Sequence, residues 1–194
     1  MPSMNNMVRQ FTLRQLTRLE KQRNDSQGRA ALAHLRRGIG HAPGELPMLW
    51  GSFLSGLPEE MCNSSGVPSR AEWAIYTALT LYALHQQGKT DSMQAEGVSL
   101  GSAALRLAGE SEDERQRIWR RLNLVAQADD MTEMNYRLRQ LVTLLKANGI
   151  GLDYALLASD LFEYQFDTSA NWVRLRWGQD FFRRNNNEED HDDE

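Results

Sequence analysis

Ser69-Arg-Ala-Glu-Trp-Ala-Ile-Tyr-Thr-Ala-Leu-Thr-Leu-Tyr-Ala-Leu-His-Gln-Gln-Gly88 decides the fold. It opens on a capping box: the Ser69 hydroxyl can accept a backbone N–H of the first turn while Glu72 reaches back to the Ser69 N–H. Trp73, Tyr76, Leu79, Tyr82 and Ala83 then recur at helical spacing, and the stretch ends at Gln86-Gln87-Gly88. This is a long helix with both ends written in its sequence.

Outward from it the chain reads the same way. Leucine outnumbers valine plus isoleucine by 26 to 10, and β-branched residues are the ones that suit strands and lose side-chain freedom on a helix. All five prolines (Pro2, Pro43, Pro47, Pro58 and Pro68) precede the Ser69 box, so nothing after it breaks a helix. Upstream, Thr12 is read as capping a helix that carries Leu13, Leu16 and Leu19. A second helix is predicted from about Arg29 to Arg37, stopped at Gly38, and residues 38–68 as irregular, with a short helix able to start at Pro58. Downstream, helices are predicted at Leu100–Leu107, Asp113–Ala128, Thr132–Asn148, Asp153–Tyr164 and Thr168–Arg184, with a polar loop at 89–98. The fold class is therefore all-α, as two small helical bundles packed together. The bundles are expected at 1–96 and 97–185, followed by a disordered acidic tail at 186–194.

That tail hides the character of the rest. The 194 residues carry 22 Lys and Arg against 26 Asp and Glu, a net charge of −4. Six of the acids lie in Glu188–Glu194, and without them the balance is +2. Overall acidity is thus no bar to a nucleic-acid partner. At about 100° per residue, Arg29, Arg36 and Arg37 share one side of their helix, and Arg117, Arg120 and Arg121 gather away from the Ile118, Leu122, Val125 stripe. In the following helix Arg139 and Lys146 share one flank and Arg137 takes the other. Planar guanidinium forks on such faces suit phosphate oxygens. The plainer reading is a set of solvated faces, in which Glu114 and Glu133 neutralise Arg117 and Arg137 at helical spacing.

Enzyme chemistry finds little support. His34, His41, His85 and His191 are scattered, no HExxH motif occurs, and His85 reads as a helix-end or packing residue. The lone cysteine, Cys62, allows no disulfide and no ordinary zinc cluster, and reads as an inert thiol. No phosphate-binding glycine loop is present, no cofactor is implied, and no apolar run reaches the length of a membrane span. Trp73, Tyr76, Trp119, Trp172, Trp177, Phe181 and Phe182 read as core or subunit-contact residues. A soluble cytoplasmic protein is expected.

Several stretches, taken together, resemble the CasB family. They are Gly28-Arg-Ala-Ala-Leu-Ala-His-Leu-Arg-Arg-Gly38, Tyr82-Ala-Leu-His-Gln-Gln-Gly88, Val98-Ser-Leu-Gly101, Arg117-Ile-Trp-Arg-Arg-Leu122, Leu138-Arg-Gln-Leu-Val142 and Leu152-Asp-Tyr154. The resemblance covers about residues 10 to 184. It implies the small subunit of the type I-E CRISPR surveillance complex Cascade: two helical bundles without catalytic activity. Such a subunit pairs with a second copy, contacts the backbone and large subunits, and supports guide RNA, target strand and displaced strand so as to hold the R-loop open. Arg37, Arg117 and Arg139 match basic positions of the family, Lys89 lies in a loop where members place basic residues, and Asn123 stands where a relative can carry arginine. The nucleic-acid contacts implied are Arg29, Arg36, Arg37, Lys89, Arg117, Arg120, Arg121, Arg137, Arg139 and Lys146. A helical protein–protein module without nucleic acid is the alternative.

Overall fold

A computed structural model describes residues 3–183. Among them run nine α-helices: α1 (Met4–Gln22), α2 (Ser26–Arg37), α3 (Trp50–Phe53), α4 (Arg70–Gln86), α5 (Leu100–Ala108), α6 (Glu112–Ala126), α7 (Met131–Ala147), α8 (Tyr154–Tyr164) and α9 (Asp167–Phe182). The all-α expectation stands. The expected acidic tail, 186–194, lies outside the described residues.

The Ser69 capping box forms as read: Glu72 N–H donates to the Ser69 hydroxyl at 3.0 Å, and Ser69 N–H to the Glu72 carboxylate at 2.6 Å. From Ala74 to Ala83 every residue of α4 is buried, so this helix is apolar all round and belongs at the centre of the molecule. The other helices wrap it: α1, α2, α7 and α8 all pack on α4, while α1 also lies along α8. In the second half α5 is held between α6 and α9. One apolar core runs without a break from Val8 of α1 to Phe181 of α9.

Two helix starts differ from the sequence reading. Helix α1 begins at Met4, capped by Ser3 (Asn6 N–H to Ser3 Oγ, 3.3 Å), not at Thr12. Thr12 is buried mid-helix and donates its hydroxyl to the Val8 carbonyl at 2.9 Å, the back-bonding a threonine can use in place of capping. Likewise α2 starts at Ser26, because Asp25 accepts Gly28 N–H at 2.7 Å. The helix expected at Pro58 is a single 3₁₀ turn, Glu59–Met61.

Two joints fix the rest. The buried Asp153 carboxylate caps α8 through Ala155 and Leu156 N–H and also accepts Gly97 N–H (3.0 Å) and the Gln94 amide (2.9 Å), with Arg9 of α1 at 3.8 Å. It thereby ties the 89–98 loop to α8 and α1. The second is a close approach: a Cβ on Gly101 of α5 would lie 2.2 Å from the Trp177 carbonyl of α9, so only a bare backbone lets these helices meet.

Candidate nucleic-acid interface

Three of the ten basic residues singled out from sequence come together in space from three separate elements. Arg36 lies in the last turn of α2, Lys89 follows α4, and Lys146 lies in the last turn of α7. All three are half-buried. Burial lowers the Lys146 ammonium below its usual range, and repulsion from Arg36 and Lys89 lowers it further. Desolvation also lowers Arg36. Lys146 Nζ donates to the Gln87 amide oxygen at 3.1 Å, a neutral acceptor. Among the described residues none of the three forms an ion pair.

Beneath the cluster lies His85, fully buried, its Nδ1 2.8 Å from the Tyr154 hydroxyl. Burial, then Lys89 and Lys146, push its pKa down to about 4, with the Ile150 backbone opposing slightly. His85 is therefore neutral at physiological pH and adds no charge to the site. It is the packing residue that its sequence position indicates.

The remaining candidates are distributed differently. Arg117 is bound to Glu114, and Arg137 to Glu133 at 3.2 Å, the neutralised helical pairs of the plainer reading. Arg29 is exposed and donates to the Asn24 carbonyl at 3.0 Å, at the far end of α2 from Arg36. Arg37, Arg120, Arg121 and Arg139 are exposed, with no ion pair among the described residues. Sequence reasoning missed Arg174 and Arg176. Arg176 is tied to Asp160 (2.6 Å) and Glu163 (3.1 Å). Arg174 instead donates only to neutral oxygens: the Ala126 carbonyl, the Tyr164 hydroxyl and the Asn171 amide. It lies three residues from Asn171 and from Trp177 on α9, and its bond to the Ala126 carbonyl sets it at the end of α6.

Among the described residues no group of three or more His, Cys, Asp or Glu side chains is placed to hold a metal ion, and no helix is long and apolar enough to cross a membrane.

The fold is that of CasB. A crystal structure of CasB from Thermobifida fusca is 31% identical, with a TM-score of 0.76, covering 91% of this chain and 98% of that one. CasB from Thermus thermophilus is 25% identical, with a TM-score of 0.66, covering 88% and 97%. M. ruber CasB, 24% identical with a TM-score of 0.64 over 87% and 90%, shares the fold. No curated protein sequence gives a match. The family described as CRISPR-associated protein Cse2 matches residues 31–182. This chain belongs to the Cse2 (CasB) family, a structural subunit family of the CRISPR Cascade complex.

Proposed function

We propose that this protein is a non-catalytic, nucleic-acid-holding subunit of Cascade, acting in the cytoplasm, which stabilises the R-loop by gripping strand backbones. The observation that carries this is the Arg36, Lys89 and Lys146 cluster. Lys146 is disfavoured as a cation by burial and by its neighbours Arg36 and Lys89, and none of the three has a carboxylate partner among the described residues, so the cluster has an unmet demand for anions. Phosphates meet it without reading sequence. Exchange of a DNA duplex for an RNA–DNA hybrid is nearly balanced in free energy, so contacts to the strands can tip it toward the open state. Guide RNA, target strand and displaced strand are the partners on this reading. Exposed Met48, Trp50 and Val67 suit contacts with the other Cascade subunits and with a second copy of the chain.

Charge reversal of Arg36, Lys89 and Lys146 together tests the proposal, read by anisotropy of a labelled single strand across a salt series. With one phosphate contact per cation, the slope of log K against log salt should fall by about 2, at about 0.7 per contact for single strands. A folded triple mutant with an unchanged slope would falsify the assignment.

A further inference from the structure

Helices α6 and α9 leave between them an open groove of about 490 Å³, within the range of about 300–1,000 Å³ typical of small-ligand sites. One wall carries Trp119 and Asn123 of α6 and Gln127 just past its end, and the other Arg174, Gly178 and Phe182 of α9, with buried Trp177 closing the bottom. Trp119 is 42% exposed and Phe182 56% exposed, so both walls offer free aromatic surface. We infer that this groove receives an unpaired nucleobase of a single strand held by the protein, an inference that rests on the nucleic-acid reading above.

Four features select a base over an apolar peptide side chain. Aromatic surface on both walls suits stacking, which is tolerant of sequence because every base has a π-face. The Asn123 and Gln127 amides meet each other only at 3.4 Å, which leaves donors and acceptors for a base edge. An apolar occupant would strand them. Cations stand at both ends, where phosphates flanking a bound base would pass. Arg174, fixed by three neutral oxygens, forms no ion pair among the described residues, though Asp129, Asp130 and Asp167 line the adjoining pocket with it. At the other end the Arg115 guanidinium lies 5.8 Å from the centres of the Phe181 and Phe182 rings. The fourth feature is Gly178. A Cβ there would meet nothing within 4 Å, so packing does not require a glycine in mid-helix. Its bareness keeps the groove open.

The test uses the full chain, a thymidine oligomer, and an abasic oligomer with the same number of phosphates. The base-bearing strand should bind about tenfold tighter, the scale of stacking one base. Trp119→Ala and Gly178→Leu should each erase that difference while leaving the salt slope for the abasic strand unchanged, and Trp119→Phe should retain most of it. Gly178→Leu fills open space on a helix and is not expected to unfold the protein. Equal affinity of the unmodified protein for the two strands overturns the inference, as does a difference that survives Gly178→Leu. If the strands bind equally and Gly178→Leu instead abolishes self-association on size exclusion, the groove belongs to a second copy and the inference falls. Failure here leaves the salt-slope result for Arg36, Lys89 and Lys146 standing, so the two readings fail separately.

Discussion

The outer faces of α6 and α7 and the junction of α2, α4 and α7 look alike in sequence, each an apolar stripe with basic residues beside it. The fold separates them. On the outer faces Arg117 and Arg137 are answered by Glu114 and Glu133 one turn earlier on the same helix. At the junction Lys146 is repelled by Arg36 and Lys89, and its ammonium donates to an amide oxygen. Local pairing neutralises a surface from within its own helix, whereas cations delivered from separate elements are left without a counter-charge of their own. A count of arginines measures neither.

The largest effect that sharpens this contrast lies under the junction. The His85 pKa of about 4 sits below the 6.5 of an unfolded histidine, so the unfolded state binds the proton first as pH falls. Stability is complete above pH 6.5 and is lost down to about pH 4, by about 3 kcal/mol. Asp160, raised by burial to about 6, works in the opposite sense. The quantity to read is therefore the difference between the unmodified protein and His85→Gln in denaturant unfolding at pH 7 and pH 4.5. His85→Gln should lose less stability on acidification. Equal losses would mean that the residue is not held neutral by its surroundings.

A smaller effect compares the two regions directly. Lys146→Met removes a repelled charge and should raise the melting temperature slightly while weakening strand binding, a trade of stability against function. Glu133→Gln releases Arg137 from its partner and should do the reverse in both measurements, with both effects fading in high salt. Shifts of the same sign in the two variants would erase the distinction between paired and unpaired cations.

Much of this architecture was legible because it is written locally. The Ser69–Glu72 box, the leucine periodicity and the confinement of proline to the first third need only neighbouring residues to be read. Thr12 was misread for a related reason: a threonine hydroxyl can cap a helix or bond back to the carbonyl four residues earlier, and only the burial of Val8, Phe11 and Thr12 against the core decides which. The candidate site was legible in part. Arg36 and Lys146 could be assigned to faces of their own helices, but their meeting with Lys89 depends on how α2 and α7 pack on α4. Arg29 shares a side of α2 with Arg36 and still lies about two turns away. The aromatics read as one class divide in the fold, with Trp177 and Phe181 buried and Trp119, Trp172 and Phe182 exposed. No periodicity distinguishes a helix face that meets a neighbour from one that borders an open groove.

The contact of Gly101 with the Trp177 carbonyl has a consequence for how this sequence can drift. A position whose Cβ would sit 2.2 Å from a backbone atom has no flexible neighbour to yield, and the smallest mutation available, one methyl group, must lever α5 away from α9. Substitutions elsewhere on α5 can be absorbed by repacking, since side chains shift more readily than backbone. Position 101 is thus a dead end for neutral change. A saturation library at this codon, sorted for folded protein, should return glycine alone, and recovery of alanine at comparable frequency would show that the two helices can part.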